Sequence, residues 1–161
     1  MAHNRPTDLL VLNPGRCTGC RLCELACVED HYGPVPGGDV RHPLVYERRR
    51  LAIRPLDESW RIEVCDHCGA QPCVSACPHL ALLRWPGGAV SLLESRCTGC
   101  GACIAVCDRS AIRRVNALDI AIKCDGCSDR DGPPACVRAC PEDALHMAPI
   151  PDSRALSRGC G

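Results

Sequence analysis

Aliphatic residues in this chain come in short runs, and the spaces between runs are polar, small or cysteine-bearing. Asp8-Leu9-Leu10-Val11-Leu12, Arg61-Ile62-Glu63-Val64 and Leu118-Asp119-Ile120-Ala121-Ile122 are brief and aliphatic, which predicts strands. Ala81-Leu82-Leu83-Arg84 and Ala89-Val90-Ser91-Leu92-Leu93 flank Pro86-Gly87-Gly88 and predict a hairpin. Glu24-Leu25-Ala26 and Ile104-Ala105-Val106 suit the first turn of short helices. Residues 31–43, HYGPVPGGDVRHP, are rich in Gly and Pro and predict loop. Residues 43–54 predict an edge strand or ribbon. The whole span 28–60 interrupts the rhythm, as a solvated connection or as an insert that docks on a partner. Residues 148–161 predict a loose tail.

Composition explains why the runs are so short. The chain has 161 residues, and 17 of them are Cys, about a tenth. Phe is absent, with two Trp and two Tyr. Without the cysteines, only about 35% of the chain is apolar, which is thin for a self-sufficient core. Something besides apolar side chains fills the middle. Lys+Arg and Asp+Glu both number 19, so no electrostatic footprint for nucleic acid or anionic lipid is expected. Lys123 is the sole lysine. No run reaches the length of a membrane span. The opening MAHNRPTDLLVLNPGRC lacks the apolar stretch of a signal peptide. The expected compartment is the reducing cytoplasm, where a disulfide framework is disfavoured. Export on a partner's signal stays open.

The cysteines fall into four groups of four. Group one is Cys17, Cys20, Cys23 and Cys27. Group two is Cys65, Cys68, Cys73 and Cys77, followed by Pro78. Group three is Cys97, Cys100, Cys103 and Cys107. Group four is Cys124, Cys127, Cys136 and Cys140, followed by Pro141. Cys160 is left over in the tail and is not expected to be a ligand. Groups one and three repeat nearly word for word, RCTGCRLCELAC and RCTGCGACIAVC, which implies duplicated modules. Every group opens with a two-residue gap and closes with a three-residue gap. A compact C-x2-C-x2-C loop wraps three thiolates around one face of a cubane. The last gap places the fourth cysteine about one helical turn away, facing elsewhere. That spacing, with Pro after the fourth cysteine, is [4Fe–4S] chemistry, and it predicts four clusters. Zinc sites use paired C-x2-C or Cys with His and do not explain four triplets each trailed by a further cysteine. His67 and His79 lie near ligands and are expected to be hydrogen-bond donors or surface residues. Arg16, Arg96 and Lys123 each precede a first ligand, either offsetting cluster charge or simply exposed.

Together these features resemble the four-cluster electron-transfer subunits of the dimethyl sulfoxide reductase family. Their relatives serve formate dehydrogenases, hydrogenases, carbon monoxide dehydrogenase and tungsten aldehyde oxidoreductases. The resemblance covers about residues 8–147. It is carried chiefly by CDHCGAQPCVSACP (65–78) and KCDGCSDRDGPPACVRACPEDAL (123–145). Two features depart from the pattern: Asp108 follows Cys107 where the family often has Pro, and the chain lacks the long insertions that dock on membrane subunits.

The resemblance implies a small α+β fold: two bacterial-ferredoxin-like modules, with low regular secondary structure, around four clusters in a line. Groups one and four would form one module and groups two and three the other, within residues 1–147. It implies crossed ligation. One cluster takes Cys17, Cys20, Cys23 and Cys140. A second takes Cys124, Cys127, Cys136 and Cys27. A third takes Cys65, Cys68, Cys73 and Cys107. The fourth takes Cys97, Cys100, Cys103 and Cys77. No side chain need act as acid, base or nucleophile, and no nucleotide, flavin or pterin motif is present, so the chain is not expected to be an enzyme by itself. The implied partners are a large catalytic subunit of tungsten or molybdenum type and a flavin or other acceptor subunit, with self-stacking a further option. The alternatives are a free polyferredoxin that shuttles electrons among enzymes and an iron–sulfur sensor or maturation factor.

Overall fold

The computed structural model describes residues 8–127 and 130–149. Eight short strands pair as four two-stranded antiparallel ribbons, and five helices connect them. β1 (Asp8–Leu12) pairs with β8 (Leu145–Pro149), Leu10 opposite Met147, so the two ends of the described chain lie together. β2 (Ala52–Leu56) pairs with β3 (Ser59–Glu63), β4 (Leu82–Arg84) with β5 (Val90–Leu92), and β6 (Arg113–Val115) with β7 (Ile120–Ile122). This is a small fold of short strands and little helix, compatible with ferredoxin-like domains. The expected strand at 8–12 and the hairpin at 81–93 form. The strand expected at 61–64 starts two residues earlier, at Ser59. At 118–122 only Ile120–Ile122 pairs, because Asp119 takes a left-handed φ of 51° and keeps the preceding residues in a turn.

Helix placement follows the cysteines. α1 (Leu22–Tyr32), α3 (Pro72–Ala76), α4 (Ala102–Ala105) and α5 (Ala135–Arg138) each begin one residue before the third cysteine of a group. Before three of them the chain turns through a left-handed residue: Arg21 (φ 63°), Gln71 (φ 45°) and Gly101 (φ 80°). The opening two-residue gap uses the same device. Its second residue has positive φ in all four groups: Gly19, His67, Gly99 and Gly126. At Gly19 and Gly99 glycine is required twice over. A Cβ would lie 2.2 Å from the Trp60 ring or 2.3 Å from the Asp119 carbonyl oxygen, and φ is positive at both.

Two cores contain the cysteines. One gathers Leu10, Leu51, Ile53, Val64 and Leu145 with Cys23, Cys27 and Cys136, and Cys17, Cys124 and Cys140 pack against it. The other gathers Leu82, Val90, Ile112 and Ala121 with Cys73 and Cys103, flanked by Cys77, Cys97 and Cys107. A third core, Leu25, Val28, Val35 and Val45, holds no cysteine.

The span 28–60 corrects the expectation of a solvated connection. α1 runs through to Tyr32, and the third core seats Val35 and Val45 against it. Residues 43–48 are helix α2 (Pro43–Arg48) rather than edge strand. The His42 ring accepts the Leu44 N–H at 3.2 Å, and Pro43 supplies a helical φ at the first position. Arg49 then donates to the Glu24 carboxylate at 2.7 Å, and the other Glu24 oxygen accepts the Ile53 N–H at 2.7 Å, all out of water. β8 takes in Ala148 and Pro149, which pair with Leu9 and Asp8, so the expected tail loses its first two residues to the sheet. Cys160 and the rest of the tail lie outside the described residues.

Candidate metal centres

Sixteen cysteines fall among the described residues, and all are free thiols. The third cysteine of each group (Cys23, Cys73, Cys103 and Cys136) is buried, because each stands in the first turn of a helix that faces a core. Cys27 is buried as well, one turn along α1. Cys20 and Cys100, the second cysteines of groups one and three, are exposed.

The fold mixes the groups. Cys17, Cys20 and Cys23 line one cavity together with Cys140, which comes from the other end of the chain. Burial pushes the Cys23 thiol up to about 12, and charge on Cys20 and Cys140 adds to that. Burial likewise raises Cys127 to about 12, with Cys124 and Cys27 contributing after Asp125. Cys136 is raised by burial and then by Cys27, Cys124 and Cys127. In the second core, burial raises Cys73, with Cys65 and Cys107 among its charged neighbours. Cys103 is pushed to about 11 by burial and then by Cys97, with Cys77 contributing less. Each of these five sulfurs therefore feels neighbours from two groups. Thiols raised this far bind metal only by releasing protons, so loading at these sulfurs depends on pH.

Backbone N–H groups point at several sulfurs. Ala81 donates to Cys77 Sγ at 3.3 Å, Ala144 to Cys140 Sγ at 3.2 Å and Ala121 to Cys97 Sγ at 3.2 Å. The first two follow a shared turn, in which the residue three past the fourth cysteine adopts positive φ: Leu80 (52°) and Asp143 (47°). Burial pushes Cys77 up, but N–H groups of Ala81, His79, Leu82 and Leu80 outweigh it and bring the thiol below its ordinary value. Thiolates with N–H donors are the outer-shell chemistry of iron–sulfur sites.

His79 is exposed, as are Arg16 and Arg96. His67 is buried; its Nδ1 accepts the Val90 N–H at 3.0 Å and lies 3.8 Å from Cys65 Sγ. Burial, and then the charge of Lys123, push it down to about 3, so it stays neutral. It is a hydrogen-bonding residue, not a metal ligand in geometry. His31, Asp125 and Cys127 bring ligand atoms within 4.8 Å of one another, but Cys127 already belongs to a thiol set. Lys123 is 1% exposed, which removes the exposed alternative for this cation. Sequence reasoning also missed Glu24, Arg49 and Arg50. Arg50 reaches Asp125 at 3.0 Å and Glu94 at 2.8 Å, joining the span 28–60 to groups three and four.

Residues 58–149 match the model of a 4Fe-4S dicluster domain, and residues 16–82 match a second 4Fe-4S dicluster domain model. The chain belongs to the 4Fe-4S dicluster ferredoxin family. Two dicluster domains imply four [4Fe–4S] clusters, and sixteen thiols of the right softness suit them. This dicluster protein is 36% identical over 159 residues to the thiosulfate reductase electron transfer subunit PhsB of Salmonella typhi, covering 95% of this chain and 81% of PhsB. It is 33% identical over 151 residues to the electron transport protein HydN of Escherichia coli (strain K12), covering 84% of this chain and 85% of HydN. It is an iron–sulfur electron-transfer protein. No helix among the described residues is long and apolar enough to cross a membrane.

Proposed function

We propose that the chain is the electron-transfer subunit of a larger oxidoreductase, and that it works in the cytoplasm. It carries electrons through four [4Fe–4S] clusters between a catalytic subunit of molybdenum or tungsten type and a second redox partner, a flavin subunit or soluble carrier. Crossed ligation holds the clusters. Cys17, Cys20, Cys23 and Cys140 hold the first; Cys27, Cys124, Cys127 and Cys136 the second. Cys65, Cys68, Cys73 and Cys107 hold the third; Cys77, Cys97, Cys100 and Cys103 the fourth. Within each module the two groups exchange their fourth cysteines, one with four and two with three. The carrying observation is the exposure pattern. Cys20 and Cys100, assigned to the first and fourth clusters, are the two exposed thiols among the described cysteines, which suits a line with an open site at each end.

A bound cluster supplies one-electron chemistry with little change in geometry. The residues of the chain do the rest. Helices α1, α3, α4 and α5 hold the buried third cysteines. The aliphatic residues of the two cores exclude water. The N–H groups of Ala81, Ala121 and Ala144 stabilise charge on sulfur. No catalytic side chain is assigned. Support for a subunit role comes from PhsB, named as the electron transfer subunit of a thiosulfate reductase; HydN, named as an electron transport protein, keeps the free-carrier reading in play.

The test is anaerobic purification from the native source, with mass spectrometry of what accompanies the chain and metal analysis of the product. The proposal expects a stoichiometric large subunit containing molybdenum or tungsten, and about sixteen iron per chain. A stable four-cluster monomer without a partner would select the free carrier, and stoichiometric zinc would overturn the iron reading. Cys140→Ser tests ligation separately. It is expected to damage the site of Cys17, Cys20 and Cys23 and to spare that of Cys124, Cys127 and Cys136.

A further inference from the structure

Lys123 is the only lysine of the chain and is 1% exposed. Its ammonium donates to the Cys124 carbonyl at 2.7 Å and to the Val90 carbonyl. It forms no ion pair among the described residues, although the other buried cation there and a partly buried one each have an acid. Arg49 has Glu24, and Arg50 has Asp125 and Glu94. A buried ammonium held only by carbonyls is costly unless an anion answers it nearby.

The surroundings indicate what that anion is. Cys124 belongs to the sulfur set of the second cluster. On the other side, Val90 sits in the core that holds Cys73, and its N–H binds His67, which lies 3.8 Å from Cys65 Sγ. Cys65 and Cys73 belong to the third cluster. The Lys123 side chain therefore bridges from the backbone of one inner set to the strand that backs the other. His67 beside it cannot balance the charge, because an imidazole is never anionic. Both Cys73 and Cys124 feel the lysine as a nearby positive charge. A [4Fe–4S] site with four thiolates is anionic, roughly −2 in its oxidised state, and becomes more negative by one on reduction.

Resting on the four-cluster reading above, we propose that Lys123 is a positioning residue for electron passage through the middle of the line: its ammonium, fastened between the two inner sites, makes both inner clusters easier to reduce. When an electron passes between them, one inner cluster is oxidised by one electron and the other is reduced by one. The charge of the lysine stabilises the electron on either side of the step.

The experiment is an anaerobic redox titration of the intact iron-loaded protein, followed by electron paramagnetic resonance, after iron has been counted. Wild type is compared with Lys123→Met, Lys123→Gln and Lys123→Arg. Met removes charge and hydrogen bonds at similar length, Gln keeps a donor without charge, and Arg keeps the charge. The expected result is four clusters in each protein. Two of the four midpoint potentials move to more negative values in the Met and Gln variants, and the Arg variant restores them. Unmoved potentials, or an equal shift of all four, overturn the inference. So does a Gln variant that behaves as wild type, because the hydrogen bond rather than the charge would then matter. Loss of iron in all three variants marks Lys123 as a structural fastener and also overturns it. A wild-type chain short of four clusters fails at an earlier point and sinks the four-cluster reading itself.

Discussion

Groups one and three begin from almost the same words and end in different structures. Both have the C-T-G-C turn with glycine at positive φ, and both enter a helix through a left-handed residue, Arg21 or Gly101. There the likeness stops. α1 runs for 11 residues and α4 for 4. Glu24 and Ile104 occupy equivalent positions. Glu24 is fully buried and grips Arg49 and the Ile53 N–H, which brings the span 28–60 back onto the helix. After Cys27 comes Val28, 1% exposed in the third core; before Cys107 comes Val106, 39% exposed with nothing to cover it. The metal loop is a local construction, and the length of the helix behind it is decided by what packs on it afterwards.

The largest separation between the two regions should follow removal of iron. Chelating iron anaerobically and measuring hydrogen exchange should strip protection from α4 and its core, where cysteines are structural members. Protection around α1 and α2 should persist longest, because Leu25, Val28, Val35 and Val45 pack without a cysteine. Equal loss in both would erase the distinction. Next in size is Glu24→Ala, which strands the Arg49 charge in the interior. A loss of about 3–5 kcal/mol in denaturant unfolding of the iron-loaded chain is expected. Ile104→Ala at the equivalent position should cost about 1–2 kcal/mol, since it removes only partly buried apolar surface. Gly99→Ala should destabilise by about 2–3 kcal/mol, from backbone strain and a clash with the Asp119 carbonyl. Gly19→Ala should cost less, because the Trp60 side chain can tilt where a carbonyl cannot; the reverse order in thermal melts would show that Trp60 is the firmer wall. The smallest effect is Val106→Ala, under about 0.5 kcal/mol, against about 2 kcal/mol for Val28→Ala.

What the cysteine spacing could announce was chemistry and local shape. The turn glycines, the helix starts and the 81–93 hairpin are encoded within a few residues of one another, so they are readable in order. The α2 helix was hidden because Pro43 suggests a break as readily as a first turn, and the deciding contact is the His42 ring on Leu44. Glu24 was hidden too. An acid in an amphipathic segment ordinarily faces water, and its partners Arg49 and Ile53 lie far along the chain. Lys123 looked like any cation beside a ligand, since only the fold brings Val90 over it. Burial of charge depends on distant segments meeting, which no local pattern reports.

The pairing of β1 with β8 has a consequence for how the protein is made. The second core draws on residues 73–121, a continuous stretch that a ribosome delivers in one piece. The first core needs Leu10 and Leu145 together, so it stays open until Leu145 has been made. During that interval Cys17, Cys20 and Cys23 are thiols on a nascent chain whose cavity still lacks Cys140. The cysteines translated first therefore wait longest for a closed core, and they must be kept reduced throughout.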